Sequence, residues 1–235
     1  MENISKHVVY NYFTDNSDIT VSPVLMNKLI SEFSQYEIYP NVSSEFNVAN
    51  GDRKSFIRLF SPDEKIQVNM QSFFTNIIVN VSENKFFKTE LEAIQLIISK
   101  LNSVFPGKLA TRLAYLTCHV YHGNEDEYNN VYKNAANREP ASAIYPIEWE
   151  FRNVYRESVD NPLEKLNVIS NIKRGGFTTP FVVQAPTNGF VLLETDVNTV
   201  FDNQTARYSY AQAHELLTTL YDKSEQSVAS IKSFI

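Results

Sequence analysis

The chain has 235 residues, of which 43% are hydrophobic, 13% aromatic and 20% charged, so it is apolar enough to fold around one large core or two small ones. A formal charge of −6, with 21 basic residues mixed among 27 acidic ones, excludes a general electrostatic pull toward nucleic acid and also a strongly acidic nucleic-acid mimic. With Cys118 as its single cysteine it cannot form an internal disulfide, which points to a reduced, cytoplasmic setting.

The opening MENISKHVVYNYF lacks the basic and apolar regions of a secretory signal, and apolar runs such as AIQLII are too short to span a bilayer, so no membrane association is expected. Ser22-Pro23 then reads as a helix start, with Leu25, Leu29 and Phe33 on one face and a stop before Pro40. A β-rich stretch follows. Ser55–Phe60 and Lys65–Met70 flank the turn Ser61-Pro62-Asp63-Glu64 as a hairpin, and Phe73–Val81 alternates as a further strand.

Thr89 and Glu92 form a capping box that opens a helix with the stripe Leu91, Ile94, Ile98, Leu101 and Phe105, closed by Pro106-Gly107. KLATRLAYLTCHVYHG predicts one long strand to Gly123. A polar helical connection covers Asn124 to about Asn137. From Ile147 the strands return as IEWEFRNVYRE, LNVISNIKR, TPFVVQA and FVLLETDV, with turns at Gly175-Gly176 and Pro186–Gly189. The final helix starts at Ser209, whose capping box is completed by Gln212, and carries Ala213, Leu216, Leu217, Leu220, Val228, Ile231 and Phe234 on one stripe. Hairpin-length turns without regular β-α-β alternation predict an α+β fold, mostly antiparallel sheet with packed helices and a long C-terminal helix. This is a single compact domain over 1–235 or two packed halves, 1–123 and 146–235, joined by a polar connection.

Chemistry is sparse. Cys118, His119 and His122 are ligand types that suit zinc, but on a strand Cys118 and His122 face one side and His119 the other, with no second pair to close the site. The alternative is a core cysteine beside polar strand positions. Lys173 and Arg174 lead into a glycine turn that suits an anion, or simply form a solvated hairpin end. Glu194 and Asp196 share a strand face and, with Asp202 beyond, offer the three carboxylates that two-metal hydrolysis needs. The alternative is a core strand whose polar end precedes the last helix. Phosphate loops, nucleophile elbows and dinucleotide fingerprints are absent, so no cofactor is expected.

The succession PIEWEFRNVYRE, EKLNVISNIKRG, GFVLLETDVNT and AHELLTTLYDKSEQSVASIKSFI, with the helix after Ser22-Pro23, resembles a sporadically distributed, uncharacterised bacterial protein family over about half of the chain. The phenylalanine expected midway along the last helix is serine or valine here. No activity attaches to that family, so the resemblance transfers no catalytic residue. The patchy distribution implies accessory genes of antiviral-defence or toxin–antitoxin loci. The sequence therefore leads to a non-catalytic protein-interaction subunit, with a protein partner or a homo-oligomer. The rivals are a metal-dependent nuclease or hydrolase using Glu194, Asp196 and Asp202, and a single-stranded nucleic-acid-binding protein, although the net charge gives no sign of the latter.

Overall fold

A computed structural model describes residues 1–46, 51, 53–81, 84–140, 144–160, 163–175 and 189–235. In chain order the elements are β1 (Glu2–Phe13), α1 (Pro23–Phe33), β2 (Tyr39–Phe46), β3 (Arg53–Phe60), β4 (Ile66–Gln71), β5 (Phe74–Val79) and α2 (Glu90–Val104). They continue with β6 (Leu109–Ala110), β7 (Arg112–His122), α3 (Glu125–Ala136), β8 (Trp149–Asp160), β9 (Leu163–Gly175), β10 (Phe190–Thr199), β11 (Tyr208–Ser209) and α4 (Tyr210–Lys232). The fold is α+β. Nine strands form one large antiparallel sheet in the order β2-β3-β4-β5-β1-β7-β10-β9-β8, and β11 pairs with β6 separately. The strand expected over TPFVVQA, with residues 176 and 186–188 of its flanking turns, lies outside the described residues.

Two compact units emerge, and neither is a single stretch of chain. The first joins Met1–His7, Tyr115–Asn198 and Leu220–Ile235; the second joins Val8–Ala114 and Thr199–Thr219. Apart from the short separate pair β6 and β11, element order repeats along the chain: β1-α1-β2-β3-β4-β5-α2, then β7-α3-β8-β9-β10-α4, a strand, a helix, a run of strands and a closing helix each time.

In the second unit, period-two alternation drives Val8, Tyr10 and Tyr12 of β1, Ile66, Val68 and Met70 of β4, and Thr75, Ile77 and Val79 of β5 into the core. α1 begins where the Ser22 hydroxyl accepts from the Leu25 N–H and Pro23 takes the first helical position. The α2 capping box is only half formed. Thr89 accepts from the Glu92 N–H, but the Glu92 carboxylate accepts from the Lys88 N–H, one residue before the cap. The long strand expected from Lys108 breaks at Thr111, because β6 is held by β11 (Ala110 opposite Tyr208) while the Thr111 N–H turns to the Phe13 carbonyl at 2.8 Å.

In the first unit, β8 and β9 form a long antiparallel ribbon in register from Trp149 opposite Arg174 to Asp160 opposite Leu163. Val191 and Leu193 of β10 pack with Tyr128 and Val131 of α3 and with Val228 and Ile231 of α4. β10 enters beside the end of β9 at Gly189, whose φ of +74° strains any L side chain and where an added Cβ would lie a tight 3.3 Å from the Gly175 carbonyl oxygen. α3 carries a complete capping box, Asn124 with Glu127. The α4 stripe Ala213, Leu216, Leu217, Leu220, Val228 and Ile231 is buried, so this helix is a core element.

Candidate functional site

β10 sorts its residues by parity. Val191, Leu193 and Thr195 face the helices: the first two join the α3–α4 core, and the Thr195 hydroxyl lies 2.6 Å from Ser224 of α4. Phe190, Leu192, Glu194, Asp196 and Asn198 therefore occupy the opposite face, where Phe190 and Leu192 cluster with Cys118 and Val120. Beyond that cluster the face becomes a polar network.

Glu194 is the hub of one half. Lys173 of β9 places its Nζ 2.7 Å from the Glu194 carboxylate, and the Asn171 amide donates to both Glu150 (2.7 Å) and Glu194 (3.3 Å), linking β8, β9 and β10. The cation beside Glu194 is thus an ammonium from the neighbouring strand. The other half is a chain of amides. Arg156 Nε donates to Asn167 (3.1 Å), Asn167 to Asn198 (3.1 Å), and Asn198 to Asp196 (2.8 Å). Asp202 belongs to the second unit, in the exposed turn after β10. Among the described residues no group of three or more His, Cys, Asp or Glu gathers as metal ligands.

The other sequence candidates have partners of their own. Arg174 is buried on the helix side, pairs with Glu125 of α3 at 2.6 Å and lies over the Tyr128 ring at 4.3 Å. It joins β9 to α3 from the inside. Arg174→Ala is therefore expected to lower stability by about 2 kcal/mol, an ion pair with one exposed partner plus a desolvated cation–π contact. Faster amide exchange in Glu125–Ala136 would accompany the loss, and unchanged exchange there would refute the linking role. Cys118 is buried, and burial first, then the Glu194 charge, pushes its thiol up to about 12 against the opposing pull of Lys173. It is held protonated at neutral pH. His119 turns to the helix side, stacked on Tyr121 and 3.1 Å from the Asn3 amide, while His122 ends β7 half-buried.

Sequence reasoning passed over a row of amides in the second unit. Registers align Asn11 with Asn76, Asn76 with Asn69, Asn69 with Arg58 and Arg58 with Asn41, and the Asn69 amide donates to Asn76 at 2.8 Å. Each unit thus carries an asparagine row that includes an arginine, Arg58 on β3 in the second unit and Arg156 on the edge strand β8 in the first. The signal was present as polar residues inside otherwise apolar strands, YNY, VNM and TNI.

The ribbon edge is the other feature it passed over. β8 stands last in the sheet order, and Arg152, Asn153, Val154, Tyr155 and Arg156 are all exposed, with Val154 at 50% and Tyr155 at 59%. A half-buried strand would hide every second residue.

Compared with known proteins, the chain matches no family model and no curated sequence. Among the described residues no helix is long and apolar enough to cross a membrane.

Proposed function

We propose that this chain is a protein-interaction subunit that acts by binding rather than catalysis and meets its partner along the outer edge of β8. In the setting its resemblance implies, it serves as an accessory component of a bacterial antiviral-defence or toxin–antitoxin system. One observation carries the reading. β8 is a 12-residue terminal strand without proline or glycine, exposed on both faces through its middle. Among the described residues no strand pairs with its outer side. A row of backbone donors and acceptors of this length is a template for strand addition.

The opposite edge of the sheet differs. β2 has 8 residues and contains Pro40, which lacks the N–H that pairing requires. The polar network around Glu194 supports the same reading, because its carboxylates, amides and ammonium are bonded across β8, β9 and β10 and so stiffen the ribbon that presents the edge.

The test compares the chain with a Val154→Asp/Tyr155→Asp variant in affinity purification from the native host, followed by hydrogen exchange on the recovered complex. A partner held by the unaltered chain, lost by the variant and protecting the amides of Glu150–Glu157 is the expected result. Equal capture by both proteins, or protection elsewhere only, would refute the edge as the binding surface.

A further inference from the structure

Building on the reading of β8 as a binding edge, we infer that its occupant is a second copy of this chain, paired antiparallel to β8 about a twofold axis through Asn153. The argument is one of charge and register. Side chains directly opposite in a ladder share a face, so in self-pairing each even-numbered residue meets an even-numbered one and the axis passes through a residue.

The exposed segment allows an axis at Arg152, Asn153, Val154, Tyr155 or Arg156. An axis at Arg152 or Arg156 sets that arginine against itself. One at Val154 sets Arg152 against Arg156, and one at Tyr155 sets Glu150 against Asp160. Like charges directly opposite destabilise a ladder.

Only the Asn153 axis avoids them. It sets Glu150 against Arg156 twice, once on each side of the axis, and Phe151 against Tyr155 twice on the other face. Asn153 meets its own copy, amide to amide, and Arg152 meets Val154. Opposite charges and aromatic pairs are the cross-strand combinations that favour pairing. Charged side chains on an edge usually keep strands apart. Here their order rejects the neighbouring registers and accepts one, which is specificity by exclusion.

Sedimentation of the purified full chain is the first measurement: a concentration-dependent doubling of mass in the micromolar range, on the order of 1–100 µM, is expected. Glu150→Arg alone and Arg156→Glu alone should each weaken the dimer about tenfold or more, and the two together should bring it back to within about threefold. Because Arg156 also donates to Asn167, a position-specific readout accompanies the swap. Asn153→Cys, at the axis, should form an intermolecular disulfide under mild oxidation at least about tenfold faster than Tyr155→Cys, whose two copies lie four positions out of register and beyond the Cα separation a disulfide spans.

A mass that stays that of one chain overturns the self-pairing. If β8 amides are nonetheless protected by a different protein, the binding-edge reading survives without it. A dimer with equal cross-linking at the two positions, or one untouched by either charge swap, also overturns it. A dimer that forms without protecting β8 amides overturns it as well, and the binding edge then stands or falls on the capture and exchange experiment alone.

Discussion

Tyr12→Ala is expected to destabilise the protein by about 4 kcal/mol, the range for deleting a large buried aromatic side chain. The Tyr12 ring is 1% exposed, stacks on Tyr210 at 4.4 Å with 13° between planes, and its hydroxyl lies 2.7 Å from the Tyr208 carbonyl and 2.9 Å from that of Lys108. One side chain thereby joins β1, the β11 strand and the start of β6. Tyr12→Phe keeps the stack and loses the hydroxyl, so it should cost only about 1–2 kcal/mol, the value of leaving buried carbonyls without their donor. Urea midpoints for the two variants check the ratio. Equal losses would mean that the hydroxyl, not the ring, is the anchor. A loss below about 1 kcal/mol for Tyr12→Ala would remove the residue from the core account altogether.

Elements whose causes are local were legible from sequence. The Ser22, Thr89 and Ser209 caps each depend on residues within four positions, and the β3–β4 hairpin is closed by its own turn, where the Ser61 N–H donates to the Ile66 carbonyl at 2.9 Å. The α3 helix is equally legible from Tyr128 and Tyr132 at helical spacing, and its Asn124–Glu127 capping box is just as local a signal. β1 was passed over, although Val8, Tyr10 and Tyr12 alternate plainly in a stretch read only for the absence of a signal.

What was hidden is set by register between strands distant in sequence. The pair of carboxylates at Glu194 and Asp196 was visible, and their shared face followed from alternation. The ammonium beside Glu194 was not, because Lys173 reaches it only through the β9–β10 alignment. Arg174, one residue on, points to the other face and into Glu125. A two-cation motif in the sequence is therefore two unrelated contacts in the fold. Exposure of β8 was hidden for a similar reason: alternation in IEWEFRNVYRE announces a half-buried strand, and only a position at the end of the sheet leaves both faces of its middle to solvent.

Raising the pH from about 9 to 12 is expected to unfold the protein progressively, with the steepest loss of stability in that window. Buried acids of raised pKa drive it, four of the described ones above all. Burial raises Tyr10, Tyr12 and Tyr210, with the neighbouring tyrosines adding to the first two, and it pushes Cys118 up to about 12 from a usual value of 9.0. Below pH 9 all four are protonated in both folded and unfolded chains, so they leave stability unchanged. Above it the unfolded chain releases these protons first, binds fewer than the folded chain, and is lowered in free energy relative to it; stability therefore falls as pH rises. For the thiol, each tenfold step in proton activity contributes about 1.4 kcal/mol, on the order of 4 kcal/mol by pH 12, and the tyrosines add to this above pH 10. Cys118→Ala removes the first contribution alone. Its stability curve should lie below that of the unaltered chain at pH 7, where a packed side chain is lost, and should cross above it before pH 12. Parallel curves for the two proteins would show that the thiol titrates freely. Phenolate absorbance that rises well before the loss of secondary structure would show the same of the tyrosines.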